Sequence, residues 1–174
     1  IYFGGFCMRY AGKVYPNRKL SFPREYAEGE EDFLFFAQVM IFEELVDAYN
    51  VWMARDERLY PLIRAIHHQH HKDEARHLVF GRMLVTQLFE QYASQWPLET
   101  LAAVRQQLGD FLHTSWREYY NPSLYLDAGI QHDPYALQEM AFQHPNAVAH
   151  RHHVSTPCIE FLLANQILQE APNI

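Results

Sequence analysis

The chain has 174 residues, of which 49% are apolar and 20% charged, enough to bury one domain's core and too apolar for a disordered segment. A net charge of −7 argues against a nucleic-acid partner, which calls for a basic face. Two cysteines, Cys7 and Cys158, exclude a disulfide framework and fit a reducing, cytoplasmic setting, and no apolar run reaches the roughly 18 residues of a membrane span.

Residues 1–28 read as an irregular N-terminal segment, with Gly4, Gly5, Gly12, Pro16 and Pro23 set among Tyr2, Phe3, Phe6 and Tyr10. The opening Ile1, with no recognisable signal peptide behind it, leads us to expect a fragment or processed piece. Residues 29–174 read as one helical domain. The stretch 33–55 has no Gly or Pro and predicts a helix; 56–61 is a break, because Pro61 suits only the first turn of a following helix. A second long helix is predicted over 61–94, interrupted only by Gly81 at tolerable cost. Pro97 opens a third, to about 120. A short helix follows over 122–128, closed by Gly129; another spans 134–143, and a last one runs from Pro145 to 169. No alternation of strand length appears, so the fold class is all-α, a helical bundle.

The chemistry concentrates in His67-His68-Gln69-His70-His71-Lys72-Asp73-Glu74-Ala75-Arg76-His77. With about 100° per helical residue, His70, Glu74 and His77 lie within roughly 60° of one another and form one face with two imidazoles and a carboxylate. That donor set suits iron, manganese or zinc, and Glu74-x-x-His77 is the i, i+3 element of di-iron carboxylate bundles. The preceding helix carries Glu43 and Glu44 in an apolar stretch, where a carboxylate is costly unless paired or on a metal. The midpoint between either residue and Glu74 falls inside the 56–61 break, so an antiparallel pair joined there sets one of them level with Glu74. Glu43 is the expected ligand and Glu44 the alternative, since neighbours point about 100° apart. Asp47 and Asp73 are candidates to orient the ligating imidazoles, and Arg76 to balance the charge. The cluster His150-Arg151-His152-His153 lacks an acidic partner at helical spacing and reads as a minor candidate. His113, His132 and His144 read as caps or surface, Glu118 as an ion-paired helix end, and Cys158 as a small buried residue. Tyr49, Trp52, Met53, Phe80 and Phe89 read as core.

Glu43, followed 31 positions later by Glu74 within His70-x-x-x-Glu74-x-x-His77, resembles the second half of the p-aminobenzoate N-oxygenase family, whose members are ferritin-like non-haem di-iron enzymes. Tyr120-Asn121-Pro122-Ser123-Leu124-Tyr125-Leu126-Asp127-Ala128-Gly129-Ile130 is similar to that family's C-terminal region, and the resemblance covers about residues 30–170. It implies metal ligation by Glu43, His70, Glu74 and His77, a two-iron cofactor (manganese being the alternative), and O₂ activation for N-oxygenation of an aryl amine in specialised metabolism. An external electron donor is implied with it. Dimetal halogenation or C–H oxidation on the same scaffold, and an iron-storing or non-catalytic half-ferritin, are the other readings. The family carries a further Glu and Glu-x-x-His on two earlier helices, which nothing before Glu43 supplies. The expectation is therefore half of a two-metal site, completed by a missing N-terminal half, a separate polypeptide or a second copy in a homodimer.

Overall fold

Proline marks where most of the helices begin. In a computed structural model, which describes residues 25–174 together with Arg9, Pro61, Pro122, Pro134 and Pro145 each occupy a first helical position, where a missing N–H costs nothing. The helices are α1 (Glu30–Arg55), α2 (Pro61–Tyr92), α3 (Leu98–Glu118), α4 (Pro122–Asp127), α5 (Pro134–Phe142) and α6 (Pro145–Ala164), with a 3₁₀ turn over Ala93–Gln95. No strand occurs among the described residues. The expected irregular segment 1–28 lies, apart from Arg9 and residues 25–28, outside the described residues.

Side chains close the free amides at several of these starts. Asn121 accepts from the Ser123 amide at 3.0 Å, Asp133 from Tyr135 at 3.0 Å, and His144 from Asn146 at 3.2 Å, which makes His144 the cap it was expected to be. Gly29 precedes α1 with φ 73; a Cβ there would meet Tyr92 Cδ2 at 2.3 Å, so only glycine fits. α6 stops at Ala164, short of the expected 169. Gln166 turns left-handed with φ 58, and the amides of Ile167 and Leu168 return to the Leu162 carbonyl at 3.0 and 3.1 Å. The turn tucks Ile167 and Leu168, 0% and 5% exposed, into the core.

α1 and α2 run antiparallel: Phe33 meets Phe89, Met40 meets Gly81, Glu44 meets Arg82, and Asn50 meets His67. Gly81 is useful at the crossing, because a Cβ there would lie 3.3 Å from that of Met40. Phe33, Ala37, Met40, Ile41 and Leu45 share one core with Val85 of α2, Leu108, Leu112 and Trp116 of α3, and Val154, Cys158 and Leu162 of α6. Cys158 is buried as expected. One flank of the α1/α2 pair stays uncovered among the described residues. Phe35, Phe42 and Phe80 are exposed there, so Phe80, expected in the core, is corrected to a surface residue. Trp52 is likewise exposed, while Tyr49 and Phe89 pack against the core. No described helix is long and apolar enough to cross a membrane.

Candidate metal centre

The register of the α1/α2 pair decides the centre. Glu43, Glu74 and His77 bring one ligand atom each within 4.8 Å of one another. His77 Nδ1 lies 2.9 Å from Glu74 Oε2 and 3.8 Å from Glu43 Oε1, and His70 Nε2 lies 2.7 Å from Glu74 Oε1. Glu74 is thus flanked by both imidazoles, one turn before it and one after. It is a buried residue, whereas the His77 side chain is 59% exposed, so the cluster has a closed floor and an open edge.

Two carboxylates in this space repel. Burial pushes the Glu43 carboxyl above its ordinary value, the Glu74 charge pushes it the same way, and His77 and His70 oppose the rise. A cation between them would relieve that cost, and two carboxylates with two imidazoles are a donor set for one borderline divalent ion. The residues fit a metal. Four side chains account for about one ion of a pair in the carboxylate-bundle pattern, which draws on four helices rather than two.

The adjacent glutamate turns away. Glu44 receives Arg82 Nε at 2.6 Å and Nη2 at 2.8 Å, a two-pronged ion pair on the other flank of the helix pair. It is not brought into the cluster with Glu43, the 100° between neighbours having separated them. Asp47 also points to that flank and holds His71 Nδ1 at 2.9 Å from both carboxylate oxygens, rather than a ligand of the cluster. Among the described residues Asp73 accepts from Gln69 Nε2, at 3.2 Å on the surface, and Arg76 is exposed.

The partner that sequence reasoning missed is Asn50. It is 1% exposed, and its Oδ1 lies 2.8 Å from His67 Nδ1 and 3.3 Å from His70 Nδ1. With no cation between them, His70 Nε2, 2.7 Å from Glu74 Oε1, must carry a proton and donate to that oxygen; an imidazole held at Nδ1 by Asn50 can instead turn its Nε2 lone pair to a metal bound beside Glu74. The available signal was position: Asn50 lies seven residues after Glu43, two turns along the same side of α1.

The second histidine cluster is dispersed. Arg151 is buried, with its guanidinium on the carbonyls of Phe142 (2.7 Å) and Ile174 (3.4 Å); His153 stacks on Trp52, and His150 meets the Tyr49 hydroxyl at 2.9 Å. His132 is exposed. His113, expected at the surface, is half-buried edge-on to Phe142 with ring centroids 5.1 Å apart, and burial lowers its pKa. Glu118 accepts from Asn121 at 3.5 Å; the expected ion pair belongs to its neighbour Arg117, which reaches Glu139 at 3.0 Å.

A family model described as P-aminobenzoate N-oxygenase AurF matches residues 5–164. No curated protein and no solved structure matches the chain.

Proposed function

Because the chain belongs to the p-aminobenzoate N-oxygenase family, a family of oxygenases with a ferritin-like helical fold, we propose that it supplies one half of a di-iron site that oxygenates an aryl amine at nitrogen. The observation that carries this reading is the convergence of Glu43, Glu74 and His77 within 4.8 Å, with His70 on the remaining oxygen of Glu74. Glu43, His70, Glu74 and His77 would hold the metal, and iron bound there in its reduced state would supply electrons and open positions for O₂. Manganese is the alternative for this donor set.

The other residues act on the ligands. Asn50 fixes the ring orientation of His70. Glu44–Arg82 and Asp47–His71 tie α1 to α2 on the opposite flank and so hold Glu43 level with Glu74. The open edge admits substrate and O₂, and exposed Phe42 and Phe80, beside Glu43 and one turn beyond His77, offer apolar contact to an aromatic ring. The remaining ligands come from a second copy or from another helical segment that covers this flank. An outside donor returns the electrons consumed with O₂. The family match supports oxygenase chemistry and lends nothing to halogenation.

Elemental analysis of the chain purified without added metal, with its mass in solution, tests the site. About one iron per chain is expected in a two-copy assembly, or about two per copy of this chain in a complex with a second polypeptide, with Glu74→Ala and His77→Ala losing it. No bound metal, and both variants indistinguishable from the parent, sinks the metal reading. The reduced, iron-loaded assembly is then exposed to O₂ and an aryl amine. An N-oxidised product is expected; metal bound without such product overturns the amine assignment alone.

A further inference from the structure

Behind the metal centre, on the side of α1 that faces α3 and α6, six aromatic and imidazole rings pack together. Tyr49 is at their middle. Its ring centroid lies 5.3 Å from Tyr119, 5.5 Å from Trp52, 5.9 Å from His150 and 6.5 Å from Trp116. Trp52 continues the array outward, stacked on His153 at 6.3 Å with the planes 3° apart, and is 40% exposed. Trp116 closes it inward at 1% exposure, its indole N–H donating to Ser155 Oγ at 2.8 Å.

The Tyr49 hydroxyl and His150 Nε2 are 2.9 Å apart. With the imidazole proton on Nδ1, Nε2 accepts from the phenol. A phenol hydrogen-bonded to a neutral imidazole can lose an electron and its proton together. This avoids the high-energy phenol cation that a buried tyrosine without a base would form. Burial also holds Tyr49 in its protonated state by raising its pKa far above the ordinary range, as does the nearby Tyr119.

The pair is connected to the metal centre. Tyr49 is bonded through the backbone to Asn50, whose side chain holds His70. The path from a proposed ligand to the phenol ring is therefore one hydrogen bond and one short run of covalent bonds, and from Tyr49 to the surface it is one ring contact.

We propose that Tyr49, hydrogen-bonded to His150, is a redox-active tyrosine that relays single electrons between the interior of the helix pair and the surface through Trp52. In the forward step a one-electron oxidant of the outer-sphere metal(III)-complex class takes one electron from Tyr49 and is reduced to its metal(II) form, and the phenolic proton passes to His150 Nε2. The products are a neutral phenoxyl radical and an imidazolium. In the return step an outside one-electron reductant acts through Trp52, which gives its electron to the phenoxyl and is re-reduced, while the proton goes back from His150 to the phenol oxygen. Atoms and electrons balance, and the relay is reset. In an oxygenase such a relay delivers reducing electrons or drains a misfired oxidising equivalent away from the ligands.

The relay does not depend on the metal reading, so its test uses the full metal-free chain. A photogenerated ruthenium(III) polypyridyl complex serves as the one-electron oxidant, with freezing and electron paramagnetic resonance as the readout. The parent is expected to give a phenoxyl signal whose rapidly formed component disappears in Tyr49→Phe. His150→Gln is expected to slow that component about five-fold, the weight of one net hydrogen bond. Trp52→Phe is expected both to slow formation of this component and to prolong the radical once formed, because the route to the surface is cut in both directions; unchanged formation and decay in folded Trp52→Phe overturns the role of Trp52. Circular dichroism checks that each variant keeps its helices. A signal equal in size, shape and rate in the parent and in folded Tyr49→Phe overturns the proposal, as does a rate unchanged in folded His150→Gln.

Discussion

Replacing Arg82 by Met tests whether Glu44 is a structural anchor rather than a metal ligand. The Glu44 side chain is 8% exposed and its carboxylate receives both prongs of Arg82, at 2.6 and 2.8 Å. Removing one partner of a fully buried ion pair costs about 3–5 kcal/mol, because the other charge is stranded. Arg82 is itself 39% exposed, so solvent screens part of the interaction, and the expected loss is nearer 2–3 kcal/mol. Met retains the aliphatic stem but forfeits the guanidinium's position 4.9 Å from the Phe161 ring centroid, about a further 0.5 kcal/mol. For a chain of this size the melting temperature should fall by about 5–10 °C. Glu44→Leu should cost less, about 1 kcal/mol, since a freed Arg82 can swing into water. The double variant should fall short of the summed singles by about 1–2 kcal/mol. Urea denaturation of the metal-free chain measures all three. An Arg82→Met chain within about 0.5 kcal/mol of the parent, or strictly additive singles, refutes the reasoning. So does metal content: Glu44→Gln should keep bound metal where Glu43→Gln loses it, and equal losses would make Glu44 a ligand.

Asn50→Leu leaves all four ligands in place but removes the acceptor facing His70, and should weaken metal binding about 10–100-fold, measured by titrating iron(II) or cobalt(II) into the metal-free chain. His113 has its pKa lowered from 6.5 by burial first, with Arg117 and Arg151 nearby adding to the effect. Its neutral form is thus favoured by folding, and the stability it contributes is full above the unfolded value and lost as pH falls from 6.5 through the folded value. Denaturation at pH values on either side of that range should show the parent losing more stability than His113→Gln; parallel losses refute the assignment. Gly29→Ala combines a left-handed backbone with a Cβ only 2.3 Å from Tyr92 Cδ2, and should destabilise by about 2 kcal/mol or more, read as a lower denaturation midpoint.

Much of this architecture was legible because prolines and helix caps are local signals. Pro61, Pro122, Pro134 and Pro145 placed four helix starts without reference to the rest of the chain. The pairing of Glu43 with Glu74 was also accessible, since a break at 56–61 and an antiparallel hairpin fix which residues stand level. Rotation about the helix axis was not. It took the whole packing of α1 against α2 and α6 to send Glu44 to Arg82 and Asp47 to His71, and no spacing rule distinguishes those outcomes from ligation. Asn50 was missed because an amide carries no charge to mark it. Phe80 was misplaced because helical spacing identifies a shared face without saying whether anything covers it.

The open edge at His77 bears on metal selectivity. A site enclosed on all sides can reject ions by size and enforced geometry, whereas one with a 59% exposed ligand lets incoming ions rearrange the donors to their own preference. Competition then follows the intrinsic affinity order, in which copper and zinc outrank iron at nitrogen and oxygen donors. With the edge open, the cluster is expected to exchange iron for copper or zinc when either is supplied. If the proposed second half covers this flank, it would restrict the geometry as well as add donors, and iron would then be held best when it is loaded as the halves assemble.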